Sequence, residues 1–426
     1  MEVMIPVPLV LPETALALEE LEEAVRAWGR AVQQQALARA WEAQAALRPV
    51  APCPTCRSTD LRPAGSKPRK VETTFGTAWL PRRRLRCGAC RRHHQPDDAA
   101  LRPALGAGRC TPRLREVAAL CGASWPYAQA AAVLGRRRGV PLAAETIRAE
   151  VARLGTAVAA QHAAEAAAAC APPASAPPPL ARVPARLDVV LDGGWVHSHG
   201  NAEGMEVKVG VVHTGSERTG RTRTRLRERR YAATLAGSAA FGPLVTAAVE
   251  HLDGYATAEQ TLLGDGAEWI WRVGQRVVAE ATPVLDRWHL RDARRRALRR
   301  TVADEERRAD WTARVEHPLD RGDVPGALAA LAALAEAEGT TPALEEFATY
   351  LRNQAPRIPD YAARRAAGQP IGSGAIEKGV DLVVNRRLKG KRGMKWGRVR
   401  AEGVLALRVA HLNGEWDQRL AAALVP

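Results

Sequence analysis

The stretch Thr261-Leu-Leu-Gly-Asp265-Gly-Ala-Glu-Trp-Ile270 limits the fold more than any other: an apolar strand runs into an acid, turns through glycine and becomes an apolar-periodic helix. Upstream, Arg186 to Leu191 is free of breaks and leads into Asp192-Gly-Gly. Downstream, Ile371-Gly-Ser-Gly-Ala-Ile-Glu377 opens a helix with a third acid. Two strand ends and one helix start thus present three carboxylates, a candidate cage for divalent ions and phosphoryl chemistry. An acid before glycine also suits a plain turn, so Asp192 or Asp265 taken singly reads as a turn residue. Three clustered acids carry more information, because without cations they repel and raise one another's pKa.

Leu187–Leu191, Trp195–His199 and Glu206–His213 read as three strands separated by glycines. Phe241–Leu252 reads as a helix, Thr261–Gly264 as a strand, Trp269–Glu280 as a helix and Pro283–Leu285 as a further strand. Three strands, helix, strand, helix, strand is the order of a ribonuclease-H-like α/β core, with Asp192 and Asp265 ending its first and fourth strands. From about Arg291 to Arg365 the chain is helix-forming, with Leu328, Leu331 and Leu334 on one face and a capped start at Thr341-Pro342. The core is therefore expected in residues 186–290 and 366–426, with an all-helical insertion over 291–365. Asp188 shares a strand face with Asp192, and Glu268 sits one turn past Asp265; both read as supporting groups. Asp286 and His289 follow the last strand, where they can orient a ligand or water, or satisfy each other.

The first half is built differently. Within residues 1–50, Glu13 to Arg48 reads as one long helix. Leu18, Leu21, Val25, Trp28 and Val32 are spaced as in a coiled-coil seam, but over about two heptads, fewer than the three or four that mark one. Packing on its own protein is the expectation. Residues 51–100 carry Cys53-Pro-Thr-Cys56 and Cys87-Gly-Ala-Cys90, two knuckles that together complete a closed tetrahedral zinc site. With the β-prone Val71–Leu80 and the cluster Arg82, Arg83, Arg84 and Arg86 between them, the module resembles a basic zinc ribbon. Residues 108–156 give three helical patterns, Pro112–Cys121, Pro126–Leu134 and Ala143–Leu154, in a helix-turn-helix-like arrangement. On the third, Ile147, Val151 and Leu154 face inward, leaving Thr146, Arg148 and Arg153 available to a DNA groove. Residues 157–185, rich in Ala and Pro, read as an extended linker. The whole is a multidomain α+β chain.

A net charge of +16 over 426 residues makes a polyanion the expected partner. In Asn385–Trp396, Arg386, Arg387, Lys389, Lys391, Arg392 and Lys395 sit beside Trp396, a phosphate track with one ring able to stack on an unpaired base. The opening residues lack the cationic start of a signal peptide, and no apolar run approaches the roughly 20 residues that span a bilayer. A cytoplasmic, DNA-associated protein without a membrane partner is expected.

These motifs together resemble bacterial insertion-sequence DDE transposases of the ISKra type, allied to the Mutator-like group. The likeness rests on the paired CxxC module, the Thr111–Gly155 helices, Leu191-Asp-Gly, Leu263-Gly-Asp-Gly-Ala, Asp286-x-x-His289, Ile371-Gly-Ser-Gly-x-Ile-Glu377 and Gly393-Met-Lys-Trp396. It implies a triad of Asp192, Asp265 and Glu377 holding two Mg²⁺ or Mn²⁺ ions, with Asp286 and His289 in support. It also implies cleavage at the terminal inverted repeats of an element and strand transfer of the freed 3′-hydroxyl into target DNA, by a homo-oligomer. A catalytically inactive, transposase-derived DNA-binding protein is the alternative. Asp192 departs from the pattern, being followed by two glycines where relatives have glycine and then a small hydroxyl residue.

Overall fold

The structure, a computed structural model, describes residues 7–106, 108–171, 183–221, 224–389 and 393–424, with backbone alone for Arg137 and Arg138. The chain divides into two compact units, Met1–Ala157 with Asp417–Pro426, and Val158–Trp416.

In the first unit, helix α1 (Leu18–Ala46) packs by its C-terminal half: Leu37 and Trp41 lie on a small core of Val71, Ala78, Leu80, Leu101 and Leu105. Two hydrogen bonds fix its register, Trp41 Nε1–H to the Pro81 carbonyl at 2.8 Å and Gln34 Nε2–H to the Phe75 carbonyl at 2.9 Å. The helix thus packs on its own protein, while Leu18, Leu21 and Val25 stay exposed. Strands β1 (Leu61–Ser66), β4 (Arg83–Cys87) and β5 (His93–His94) form one small antiparallel sheet, and β2 (Arg69–Thr73) with β3 (Gly76–Leu80) a hairpin. Then come α2 (Asp98–Leu105), α3 (Pro112–Ser124) with Thr111 as its N-cap, α4 (Tyr127–Val133) and α5 (Ala144–Ala169). Ile147, Val151 and Leu154 are buried on α5, as their spacing requires. The expected linker is corrected here, because α5 runs on to Ala169. No proline occurs between Pro141 and Pro172, and alanine is the best helix former, so nothing stops the helix at residue 157. Residues 172–182 of the expected linker lie outside the described residues.

The second unit is built on a five-stranded sheet of β6 (Arg186–Val196), β7 (Met205–His213), β10 (Arg229–Thr234), β11 (Glu259–Gly264) and β12 (Thr282–Leu285), in the order β10-β7-β6-β11-β12. The first three pair antiparallel, and β11 runs parallel to both β6 and β12. A short hairpin of β8 (Ser216–Arg218) and β9 (Thr224–Leu226) stands outside it. Helix α6 (Ser238–His251) covers one face, where Gly210 leaves room for Phe241 and Val245. Beside it α7 (Glu268–Val277) brings Gly274 onto Leu262. Five helices follow, α8 (Arg287–Thr301), α9 (Glu305–Asp320), α10 (Val324–Glu338), α11 (Pro342–Gln354) and α12 (Tyr361–Ala366), each begun by a side-chain cap from Asp286, Asp304, Asp323, Thr341 or Asp360. Leu331 and Leu334 are buried on α10 and Leu328 partly so. Helix α13 (Gly374–Val380) covers the opposite sheet face, with Gly379 against Val211 and Tyr231 and Val380 beside Gly194. This unit closes with α14 (Arg386–Leu388) and α15 (Arg398–Leu412), while α16 (Trp416–Leu424) belongs, from Asp417 on, to the first unit.

Two strand expectations are corrected. Gly193 and Gly194 do not break the first strand, since they pair with Lys208 and Val207 and carry β6 on to Val196. Asp192 is therefore inside the strand, two residues beyond Val190, the last to pair with β11. Trp195–His199 is accordingly no separate strand, and the third member of the sheet is Arg229–Thr234.

Candidate functional site

Asp265 sits in the turn after β11, where its Oδ1 accepts the Ala267 amide at 2.9 Å. Gly266 makes that turn at φ +105°, a conformation L side chains rarely adopt. The insertion holds the turn from outside. Gln354 Nε2–H donates to the Gly266 carbonyl at 3.1 Å, and the Tyr350 hydroxyl lies 3.5 Å from the Asp265 carbonyl. Asp192 projects from β6 and takes its own neighbour's amide, Gly193 N–H, at 2.7 Å. Burial pushes its carboxyl up to about 6 against that amide's pull, and the Asp265 charge pushes the same way.

Asp286 is fully buried and caps α8, accepting the His289 amide at 2.9 Å. Its other oxygen accepts the Ser373 amide at the start of α13. Burial alone raises this carboxyl, but His289 and Ser373 outweigh it and the net shift is downward. His289 Nδ1 lies 3.4 Å from Asp286 Oδ1, and the imidazole pKa is raised by that contact first, with Asp265 and Asp192 adding to it. Asp192, Asp265, Asp286 and His289 therefore share one electrostatic neighbourhood. Glu377, one turn into α13, is exposed and reaches the group through Ser373, whose Oγ is 3.4 Å from its Oε1. Ser373 is a site residue that the sequence reading passed over; its only signal was its place between Gly372 and Gly374. A cavity of about 350 Å³ opens beside Asp265 and His289, with Arg296, Arg300, Glu346 and Tyr350 in its walls.

The four cysteines come together. Cys53 and Cys90 Sγ are 3.6 Å apart, Cys56 and Cys87 Sγ 3.5 Å, and all four sulfurs lie within 4.8 Å of one another. Zinc–sulfur bonds of about 2.3 Å in a tetrahedron require a sulfur spacing of about 3.8 Å, so the quartet fits a structural metal such as zinc. Two matching turns hold it: Cys53 N–H bonds the Ser58 carbonyl and Cys87 N–H the Arg92 carbonyl, each at 2.9 Å, with Arg57 and Arg91 at positive φ. The amides of Cys56 and Thr55 pull the Cys53 thiol down to about 6 and the Cys90 amide lowers Cys87, while Cys56 is pushed up, against the Ser58 amide, by its contact with Cys87 and by burial, so Cys53 and Cys87 are the thiols most ready to ligate as thiolates. Among the described residues, no group of three or more acid or histidine ligands is gathered within 4.8 Å in the same way.

The expected DNA contacts fare unevenly. Arg148 pairs with Glu145 on its own helix, and Arg153 with Glu150 at 3.2 Å. Arg386 pairs with Asp381 at 3.0 Å, whereas Lys389 and Lys395 are exposed. Lys391 and Arg392 lie outside the described residues. Trp396 and Arg387 are corrected. Trp396 is buried, its Nε1–H donates to the Leu388 carbonyl at 2.9 Å, and Arg387, itself buried, lies 4.8 Å from the centre of its ring. The basic run is thus anchored by one stacked pair, and that ring is closed to a base.

Asp188 faces the same side of β6 but belongs to a different cluster: Arg186 Nε–H donates to it at 3.0 Å, and His213 Nδ1 lies 3.5 Å away. Burial lifts its carboxyl to about 6 against Arg186. A folded-state pKa above the ordinary value means that the folded form binds this proton more tightly, so its contribution to stability is lost as pH rises through 6. Against Asp188→Asn, the parent is expected to lose about 1.4 kcal/mol between pH 5 and pH 8. Urea unfolding of both proteins at the two pH values checks it, and parallel curves would remove the burial argument.

Residues 113–421 match an uncharacterised protein family, UPF0236. The matched span holds Asp192, Asp265, Asp286, His289 and Glu377 and leaves out the cysteine quartet. No curated protein matches the chain.

Proposed function

The chain belongs to the uncharacterised protein family UPF0236, and we propose that it is a DDE transposase of the ISKra type with a ribonuclease-H-like core. On this reading it cleaves DNA at the terminal inverted repeats of its element and transfers the 3′-hydroxyl into target DNA, acting as a homo-oligomer. The observation that carries it is the placement of Asp192 on β6 and of Asp265 in the turn after the neighbouring β11, where the Asp265 charge acts on the Asp192 carboxyl and both act on His289. Acids held in one another's field are suited to hard cations, and Asp192, Asp265 and Glu377 are the residues that would hold Mg²⁺ or Mn²⁺. Such ions, when bound, supply charge stabilisation to the attacking and leaving oxygens of a phosphodiester. Asp286 fixes the His289 ring and, through Ser373, the start of the helix that carries Glu377. Arg296 and Arg300 line the adjoining cavity, where a backbone phosphate would find its countercharge. The +16 net charge and the cysteine module supply general affinity for DNA.

A second reading, a transposase-derived DNA-binding protein without catalysis, is favoured by one observation: Glu377 is exposed and is not gathered with the two aspartates into a compact cluster among the described residues. The two readings part in one assay. Purified full-length protein is incubated with a plasmid carrying the DNA that flanks its gene, with Mg²⁺ or with a chelator. The transposase reading expects metal-dependent breaks at inverted repeats in that DNA, and binding without breaks at any Mg²⁺ or Mn²⁺ concentration leaves only the second.

A further inference from the structure

We infer that the knuckle end of the cysteine module, which carries Arg57, Arg62, Arg86, Arg91 and His93, is a clamp for the phosphate backbone of duplex DNA. The inference rests on the DNA partner of the proposed function and on none of its acids. Residues 53–94, about a tenth of the chain, hold eleven Lys and Arg against two acids, which is more than half of the net charge of +16. The thiolates do not absorb this excess, since four of them around one zinc ion leave only two negative charges. Nor do the nearby carboxylates: Asp60 is taken by Arg62 at 3.2 Å, Glu72 by Lys70 at 3.1 Å, Asp97 by Arg83 at 2.7 Å and Asp98 by Arg82 at 2.6 Å. Arg57, Arg84, Arg86, Arg91 and Arg92 are left without an ion pair among the described residues.

Two features gather these cations at one end. On β4, Leu85 and Cys87 are buried, so Arg84 and Arg86 take the other face of the strand. Arg62 on β1 and His93 on β5 stand opposite Arg86 in register, and all three are exposed. Like charges opposite one another across strands repel, and an anion laid over the row relieves that cost. His93 feels the same field, its imidazole pKa being lowered by desolvation and then by the charges of Arg84 and Arg86. The knuckle turns add Arg57 and Arg91, each directly after the second cysteine of its pair, and the quartet holds the two turns side by side. Both are exposed and stand at positive φ, +63° and +59°. Glycine meets that conformation without strain, whereas an L side chain does not. A turn that twice uses arginine where glycine fits better retains it for a contact outside the fold, and the planar guanidinium fork matches phosphate oxygens. Neither knuckle nor any of β1, β4 and β5 carries a Phe, Tyr or Trp on which an unpaired base could stack, so a paired backbone is the fitting partner.

Fluorescence anisotropy of a labelled DNA duplex of arbitrary sequence, titrated with full-length protein at several NaCl concentrations and without divalent ions, tests it. Arg57→Gly combined with Arg91→Gly is expected to weaken binding at low salt by about tenfold or more, and to lower the slope of log K against log salt by about two. Zinc content and resistance to proteolysis are expected to match the parent's, because glycine eases both turns; arginines that served only the turns would leave the affinity unchanged. Arg86→Gln, at an ordinary strand position, is expected to lower the slope by about one. No binding of the duplex by the parent, unchanged affinity and slope in both variants, or duplex RNA competing more strongly than duplex DNA overturns the inference. The proposed function fails separately. Metal-dependent cleavage together with variants that bind like the parent strikes the clamp alone, and DNA held through the clamp without cleavage strikes the transposase alone.

Discussion

Asp265→Asn is expected to lower Mg²⁺-dependent cleavage of a terminal repeat by about a thousandfold or more, while affinity for the same DNA changes by less than about threefold. The substitution is chosen for what it keeps. Asparagine Oδ1 can still accept the Ala267 amide, so the turn, with Gly266 at positive φ and Gln354 on its carbonyl, has no reason to open. Only the charge is removed. The charge repulsion between Asp192 and Asp265 goes with it, and so does one of the two aspartates offered to a hard cation. A gel-shift titration and a cleavage time course on the same protein preparation separate the two effects. Equal cleavage by variant and parent would sink the proposed triad, and equal loss of binding and cleavage would point to a folding defect instead.

The second large effect concerns the cysteine quartet. Freshly purified protein is expected to carry one zinc per chain, and Cys87→Ser or exhaustive chelation to release it. Structural zinc in small modules contributes apparent binding free energies of about 10–16 kcal/mol, which is folding free energy when no site exists in the unfolded chain. The sheet of β1, β4 and β5 is small and begins and ends at the knuckles, with Leu61 paired to Cys87, so it has little else to hold it. Metal analysis followed by limited proteolysis should therefore show new cuts between residues 53 and 94 only after stripping. A module that is free of zinc when fresh, or that stays resistant once stripped, would show that the four thiols pack without an ion.

Much of this was legible from residue order, for identifiable reasons. The quartet was legible because two CxxC pairs leave few arrangements other than a shared ion. Asp265 was legible because an apolar run, an acid and a glycine mark a strand end whatever surrounds them. The third strand of the sheet was not, since Arg229-Arg-Tyr-Ala-Ala-Thr234 has few β-formers and is a strand only because β7 pairs with it residue for residue. Gly193 and Gly194 looked like a break, yet the strand runs through them in register with Lys208 and Val207: a Cβ on Gly193 would meet only the movable end of Glu206, at 2.8 Å, and one on Gly194 would make ordinary contact with Val380 at 3.4 Å, so the pairing and not the residue type decides the conformation. Trp396 looked like an exposed ring among cations. Nothing in its neighbours revealed that the Leu388 carbonyl and Arg387 would enclose it. The alanine tract to Ala169 was assigned to the linker on composition that serves a helix equally well.

The grip of α11 on the Asp265 turn has a bearing on how such a chain can change over time. Tyr350 and Gln354 steady a loop some eighty-five positions earlier, so the helical block is a brace for the acid rather than a passenger. A recombinant that swapped this block for a foreign one would inherit the carboxylate without its splint, unless the newcomer brought equivalent donors. Strand end and brace should accordingly travel between lineages as a single heritable piece.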